Sequence, residues 1–326
     1  MTVPLVLKVS NLVVEYRLRN SSRKGTALVH AVNDVSLEIG AGETLAIVGE
    51  SGSGKSTIAK AIMRLTDITS GTVEIDGTEV TKLRGRELRR ARHKFQMIFQ
   101  DPFESIDPRR TVLDTLNESL LLAGEGSTVE EREALGLQAL ERVGLTPTSR
   151  IGARFAHQLS GGQRQRVAIA AAMLLQPKLL VADEPVSMLD VSLRAGILRL
   201  MQKLSIESGV GCLFITHDLS LAWMYADRIA VVYLGKIVEQ GNAEEVISNP
   251  RHPYTKALVS VIPAPESLSR SRTILEGESP DAAQVPSGCA FHPRCPLYRE
   301  QNAPEKCRLE SPVLPMANHQ AACHFS

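Results

Sequence analysis

Apolar residues fall along this chain in short runs separated by polar, glycine-rich or charged stretches. Residues 5 to 18 alternate, with Leu7, Val9, Leu12, Val14 and Tyr16 in the apolar set, as an edge strand with one wet face does. The polar stretch Arg19 to Thr26 reads as a loop, and Val32, Val35, Leu37 and Ile39 begin another strand. Leu45-Ala46-Ile47-Val48 and Leu179 to Ala182 are continuous apolar runs, and Phe95 to Phe99 and Cys212 to Thr216 are apolar but for Gln96 and Thr216, the pattern of buried strands. Gly71 to Gly77 reads as a hairpin that turns on Asp76-Gly77. Helical periodicity covers Ile58 to Leu65, Thr111 to Arg142 with a break at Gly124 to Ser127, and Arg164 to Leu175, which Pro177 closes. Strands alternating with helices make this an α/β chain.

The chemistry-bearing residues sit at the ends of those strands. After Val48 comes Gly49-Glu50-Ser51-Gly52-Ser53-Gly54-Lys55-Ser56-Thr57 and then a helix, the context that the P-loop pattern G-x-x-x-x-G-K-[ST] requires. The glycines let successive N–H groups face phosphate oxygens at a helix N-terminus whose dipole favours anions. Lys55 then reaches the β- and γ-phosphates and the Ser56 hydroxyl takes a position on Mg²⁺; the bland alternative is a Gly/Ser turn before a helix. Another strand ends on Gln100, and another on the adjacent carboxylates Asp183 and Glu184. Asp183 suits Mg²⁺ and Glu184 an attacking water, a division that phosphoryl transfer needs; the alternative is an N-cap pair for the next helix. His217 stands at the end of the strand over 212 to 216, either as a satisfied structural residue or as a functional group at the same sheet edge. Leu159-Ser160-Gly161-Gly162-Gln163 is a second glycine-rich helix start and a second potential phosphate cradle, which a single chain with one P-loop does not obviously need. Tyr16 is a half-buried strand aromatic, the plainer reading from spacing, or a face on which an adenine ring stacks.

Composition adds limits. The 326 residues suffice for a core domain plus a second unit, and 22% charged residues with a formal charge of +1 give no general pull toward nucleic acid. The basic run Lys82 to Lys94 reads as a solvated helix face, with a lipid or partner contact as the alternative. The longest apolar run, Val167 to Leu175, is too short for a membrane span, and the N-terminus lacks the basic-then-apolar order of a signal peptide. A chain made and kept in the cytoplasm is therefore expected. Cys212 reads as a small buried hydrophobe within a strand, whereas Cys289, Cys295, Cys307 and Cys323 crowd a tail that turns proline-rich after Gly241. Such a tail buries too little surface to hold a fold of its own, and a metal centre would compensate. The spacing C-x5-C-x11-C-x15-C is wide for zinc and compatible with an iron–sulfur cubane, with four free thiols as the remaining reading.

Gly49–Thr57, Gln100, Leu159–Gln163, Asp183-Glu184, Ser187-Met188-Leu189-Asp190 and His217 resemble, in order and spacing, the motifs of ABC-type ATPases. These are the P-loop, Q-loop, signature, Mg²⁺/general-base pair, D-loop and switch histidine, and the resemblance covers roughly residues 5 to 245. It implies a P-loop NTPase (RecA-like) core with an antiparallel β-subdomain and an inserted α-helical subdomain. The expected division is a cassette over 1–245, its helical part about 101–165, and a short cysteine-rich extension over 246–326. ATP and Mg²⁺ are the implied cofactors. Tyr16 then takes the adenine-stacking position, and Gly49, Ser51, Gly52, Gly54, Lys55, Ser56 and Thr57 bind the phosphates. Ser56, Gln100 and Asp183 hold Mg²⁺, while Glu184, His217, Gln100 and Lys55 serve catalysis. Ser160, Gly161, Gly162 and Gln163 meet the γ-phosphate held by a neighbouring subunit, with Asp190 on the seam, so that one set of motifs implies a dimer. Met188, where alanine is commoner, alters packing at the seam and removes no catalytic group.

A narrower likeness lies in Phe99 to Val112, Gln163 to Arg166, Asn249 to Leu258, Gly277 to Pro280 and Pro286 to Pro296. These stretches resemble the ATPase subunits of dipeptide/oligopeptide importers, the F-type subunit most, a group with relatives for nickel, opines and oligosaccharides. Its members work as two different ATPases on the cytoplasmic face of the plasma membrane, under two permeases fed by an extracytoplasmic binding protein. The group carries a cysteine cluster in this tail, which favours [4Fe–4S] over Zn²⁺. A soluble ABC ATPase acting on DNA or ribosomes would carry tandem cassettes or long basic or coiled insertions, and neither is visible; Leu159–Gln163 argues against a P-loop kinase.

Overall fold

The computed structural model describes residues 4–19, 26–101, 107–262, 273–278, 280–315 and 317–326, the side chains of 18, 19, 26 and 27 excepted. Residues 20–25 of the expected loop, 102–106 of the stretch after Gln100, and Ser279 lie outside the described residues.

In chain order the elements begin with β1 (Leu5–Arg19), β2 (Thr26–Gly40), β3 (Thr44–Val48), α1 (Lys55–Ile62), β4 (Ser70–Ile75), β5 (Thr78–Glu79), α2 (Gly85–Ala91) and β6 (Phe95–Ile98). There follow α3 (Val112–Ala123), α4 (Val129–Arg142), α5 (Thr148–Gly152), α6 (Gly161–Leu174), β7 (Leu179–Asp183), α7 (Val191–Ser208) and β8 (Gly211–Thr216). The chain closes with α8 (Leu219–Tyr225), β9 (Arg228–Tyr233), β10 (Lys236–Asn242), α9 (Ala243–Ser248), α10 (Pro253–Ser260), α11 (Pro296–Glu300), α12 (Glu305–Leu309) and β11 (Gln320–Ala321). Among the described residues no helix is long and apolar enough to cross a membrane.

The chain forms two compact units, one of Met1–Lys8, Glu38–Thr44 and Val73–Phe214, the other of Val9–Leu37, Leu45–Thr72 and Ile215–Ser326. In the first unit, β6 and β7 pair in parallel, Phe95 opposite Leu179 and Ile98 opposite Ala182, and β8 lies on the other side of β7. Every residue of β7 and β8 is buried, which is why both read as unbroken apolar runs. A capping box starts α3: Asp114 N–H donates to Thr111 Oγ1 at 3.2 Å and Thr111 N–H to Asp114 Oδ2 at 3.1 Å. Val112, Leu116 and Leu120 are then buried on the side that meets α4, α5 and α6. No residue of α2 is buried, in line with the solvated face expected of the basic run.

In the second unit β3 and β9 are parallel, Leu45 opposite Arg228 and Val48 opposite Val231, with β10 antiparallel to β9 and β11 antiparallel to β10. α1 starts one turn before the apolar run, at the polar residues of the glycine loop, and stops at Ile62 because Arg64 turns left-handed at φ 53°. The expectation of an edge strand at β1 is corrected: the strand order β2-β1-β4-β5 flanks it on both sides, and Thr69 N–H donates to Val13 O at 2.9 Å. Alternation reports one wet face, which interior strands of a one-sided sheet also have. The alternation slips by one place between Val9 and Leu12 and between Val32 and Val35. At the slips Asn11 (φ 49°) and Asp34 (φ 60°) are left-handed, joined by Asn11 Nδ2 donating to Asp34 Oδ1 at 2.8 Å. One extra residue in each strand thus keeps the apolar set on one face.

The proline-rich tail is pinned by aromatic packing. Tyr254 of α10 and Phe291 lie against Tyr233 of β9 with ring centroids 4.8 and 5.2 Å away, and 5.4 Å from each other. All three are essentially inaccessible to solvent. Such a cluster supplies the buried surface that the tail's own composition lacks.

Candidate active site

In the second unit the glycine loop runs from β3 into α1, and two of its glycines are required by space. A Cβ on Gly49 would strike Val232 O, and one on Gly54, at φ 101°, would strike Ala31 O. Gly54 also caps α1, whose first residues Lys55, Ser56 and Thr57 present backbone N–H groups at the helix start. Lys55 is 6% exposed, and its Nζ donates to Gly49 O at 2.9 Å and to Glu50 O at 2.8 Å. The loop thereby closes on its own lysine. Ser51, Gly52 and Ser56 are exposed along the same loop. A cradle of N–H groups with a lysine curled at its centre suits a polyphosphate.

Tyr16 on β1 is 38% exposed, and its hydroxyl shares a hydrogen bond of 3.2 Å with Thr66 Oγ1. His217 is exposed directly after β8. The next residue, Asp218, caps α8 by accepting from Ser220 N–H at 2.8 Å, which fixes the backbone on which His217 stands.

In the first unit Gln100 follows β6 and Glu184 follows β7, and Gln100 Nε2 donates to Glu184 Oε2 at 3.3 Å. Two residues 84 positions apart are therefore neighbours at adjacent strand ends. Asp183 is 8% exposed. Glu184 is left-handed at φ 48°, a conformation uncommon outside glycine, and Ser187 N–H and Oγ both donate to its carbonyl, at 3.2 and 3.0 Å. The alternative of an N-cap pair fails: the next helix, α7, is capped at Asp190. Arg194 Nε donates to Leu189 O at 3.0 Å, holding the turn that carries the exposed Asp190 and Met188.

Ser160 caps α6 in a reciprocal box, accepting from Gln163 N–H at 3.3 Å while Gln163 Oε1 accepts from Ser160 N–H at 3.1 Å. The N–H groups of Gly161 and Gly162 lie at the same helix start. A Cβ on Gly162 would come 3.3 Å from Leu193 Cδ1, so the signature turn and the start of α7 are close-packed.

Cys289, Cys295, Cys307 and Cys323 line one cleft in the tail, with His252, His292 and His324. Burial, with the other three thiols adding a smaller push, raises Cys289 to about 11; burial likewise raises Cys295 and Cys307. Cys289 N–H donates to Cys307 O at 2.9 Å, tying two of the cysteine segments together through the backbone. Among the described residues no group of three or more His, Cys, Asp or Glu side chains is disposed to hold a metal ion. Cys212 is fully buried in β8, as read from the sequence.

The sequence reading overlooked two tail residues at the glycine loop. Arg294 Nη1 and Nη2 donate to the Glu50 carboxylate at 2.8 and 3.2 Å, and Glu50 N–H donates to Tyr254 Oη at 2.9 Å. These partners are 244 and 204 positions apart, and no local pattern signals them.

The fold and these motifs define an ATP-binding cassette. The sequence profile described as ABC transporter matches residues 32–187. A dimeric post-hydrolysis structure of the ATP-binding cassette MJ0796 bound to ADP and Pi is 32% identical at a TM-score of 0.64, covering 73% of this chain and 98% of that one. The structure of cbiO1 from Clostridium perfringens, part of the ABC transporter complex cbiONQ, is 29% identical at a TM-score of 0.65, over 76% and 92%. The chain belongs to the ATP-binding subunits of ABC transporters.

Its branch of that family follows from the tail and the close relatives. The profile described as Oligopeptide/dipeptide transporter, C-terminal region, matches residues 238–301. The Di/tripeptide transport ATP-binding protein DppF of Pseudomonas aeruginosa is 44% identical over 324 residues, 98% of either chain. The Oligopeptide transport ATP-binding protein AppF of Bacillus subtilis is 43% identical over 303 residues, 91% of this chain and 90% of that protein. Within the family this is an ATPase subunit of the peptide-import type.

Proposed function

We propose that the chain hydrolyses ATP to drive import of di- or oligopeptides, with the labour divided among the residues at its strand ends. The observation that carries this is the 3.3 Å hydrogen bond joining Gln100 to Glu184 beside the buried Asp183. Two strand ends thus meet at Glu184, a carboxylate that can accept a proton, and the adjacent Asp183 is suited to a cation. Tyr16 stacks on adenine; Gly49, Ser51, Gly52, Gly54, Lys55, Ser56 and Thr57 hold the phosphates. Mg²⁺, held by Ser56, Gln100 and Asp183, supplies neutralisation of charge on the phosphates. Glu184 takes a proton from water as the water oxygen bonds to the γ-phosphorus and the bond to the ADP oxygen breaks. His217 senses the γ-phosphate. Ser160, Gly161, Gly162 and Gln163 close on the nucleotide of a second subunit, with Asp190 at the seam.

The cassette spans 1–245 with a helical part over about 101–165, and 246–326 is an extension; the packing of α3, α4 and α5 on one another supports the first division. The partners are a second, different ATPase subunit, two permeases and an extracytoplasmic binding protein, this chain being the F-type subunit on the cytoplasmic face of the plasma membrane. Oligosaccharide, opine or nickel complexes are the other cargoes that this machinery takes.

The extension holds a [4Fe–4S] cluster on Cys289, Cys295, Cys307 and Cys323. Support comes from four thiols lining one cleft, of which Cys289, Cys295 and Cys307 are pushed by burial toward the neutral form, so that a positive centre would be needed to hold them as thiolates. The cluster supplies a cross-link between tail segments.

Native mass spectrometry of the complex recovered from the host's membranes by a tag on this chain tests the assignment. Two permeases, a second ATPase and a binding protein carrying a small peptide mass are expected. Recovery of the chain alone, or with nucleic acid, would remove the transport role.

A further inference from the structure

The contact between the tail and the glycine loop carries more than attachment. Glu50 is the second residue of the loop, and each of its polar groups is engaged. Its carbonyl accepts from Lys55 Nζ at 2.8 Å and from Ser53 N–H at 3.2 Å, inside the loop. Its N–H and its carboxylate go to the tail, to Tyr254 Oη and to both terminal nitrogens of Arg294. Arg294 is 8% exposed, and its guanidinium carbon lies 6.0 Å from the centroid of the buried Tyr233 ring, so it cannot turn to solvent to satisfy its charge. A fork-shaped cation gripping a carboxylate through two parallel bonds fixes direction as well as distance.

We propose that Arg294, assisted by Tyr254, is a positioning residue for nucleotide binding, acting through Glu50 on the loop backbone and on Lys55. The tail thereby sets the shape of the phosphate cradle within its own chain. Releasing Glu50 frees the peptide unit whose carbonyl orients the lysine ammonium, and the N–H groups of the loop lose their common direction. The inference rests on the nucleotide role of the glycine loop and adds the residue that holds that loop in shape.

A binding cycle on the full-length chain in its purified complex tests it, with MgADP as the calorimetric probe and ATP in turnover. Arg294→Gln is expected to weaken MgADP binding about tenfold, about 1.4 kcal/mol. It should raise KM for ATP by a similar factor and leave kcat within about twofold, the signature of lost ground-state binding. Glu50→Gln should lose about as much, and the double variant Glu50→Gln/Arg294→Gln no more than either single change, because all three break one link. Arg294→Lys, which keeps the charge without the fork, should fall between. Wild-type affinity in Arg294→Gln with only a lower melting temperature would make the contact a mere staple and overturn the proposal, as would fully additive losses. If Arg294→Gln does not fold, Tyr254→Phe removes only the acceptor for Glu50 N–H; about threefold weaker binding supports the proposal and unchanged binding overturns it. Failure of the wild-type chain to bind MgADP would instead overturn the nucleotide reading itself.

Discussion

Lowering the pH from about 7.5 to about 5.5 is expected to loosen the C-terminal segment through His252. The ring is 1% exposed, its Nδ1 accepts from Tyr254 N–H at 3.1 Å to cap α10, and its own backbone N–H donates to Glu239 Oε2 at 2.7 Å. Burial, with a smaller push from the Lys256 ammonium, brings its pKa from the ordinary 6.5 down to about 3. Below 6.5 the unfolded chain takes up a proton that the folded chain refuses until about 3. Through that window the unfolded state binds more protons, so stability is complete above it and falls as the pH falls. The loss comes to about 1.4 kcal/mol at pH about 5.5 and about 2.7 kcal/mol at pH about 4.5. Glu239 and His319, paired at 2.7 Å in the same cluster, and the nearby cleft cysteines also carry ionisable groups. The quantity to measure is therefore a difference between wild type and His252→Asn, which keeps an oxygen to cap α10 and does not titrate. Denaturant unfolding followed by Trp223, the chain's one tryptophan, reads it. Wild type should lose about 1.4 kcal/mol more than His252→Asn over those two pH units. Equal pH dependence in the two proteins would refute the argument from burial.

Glu184→Gln removes the proton acceptor and keeps the shape; ATP binding should persist, closed dimers accumulate on size-exclusion chromatography, and turnover drop at least about a hundredfold. Near-normal turnover would refute Glu184 as the base. Gly54→Ala forces a Cβ into Ala31 O from a left-handed backbone, so nucleotide binding should be lost on calorimetric titration, and retained affinity would mean that the loop tolerates another shape. Cys295→Ser should lower the melting temperature and the yield of assembled complex; unaltered assembly after loss of the proposed cluster would count against a structural staple.

Much of the cassette is legible in the sequence because its signals are local. β3, β7 and β8 are buried along their whole length, so only apolar side chains serve there, and the strands stand out as unbroken runs. The glycine loop was legible for a different reason: a backbone that must pass close to Val232 O and Ala31 O accepts no other residue at Gly49 and Gly54. The misreadings have equally definite causes. α1 begins in Lys55-Ser56-Thr57, polar residues whose helical state is set by the loop cap rather than by periodicity. At β1 the alternation recorded a wet face, and no pattern within one strand says how many neighbours it has.

What the chain decides by itself is whatever one residue's surroundings along the sequence can enforce: strand or helix, the turn at Asp76-Gly77, the phosphate-binding loop and the carboxylates at a strand end. Only the folded molecule decides which distant groups meet. Gln100 finds Glu184 because β6 and β7 are parallel neighbours, and Glu50 finds Arg294 because Phe291 and Tyr254 pack on Tyr233. Those pairings arise from burial and strand pairing across tens to hundreds of residues, a constraint that leaves no periodic trace at either partner.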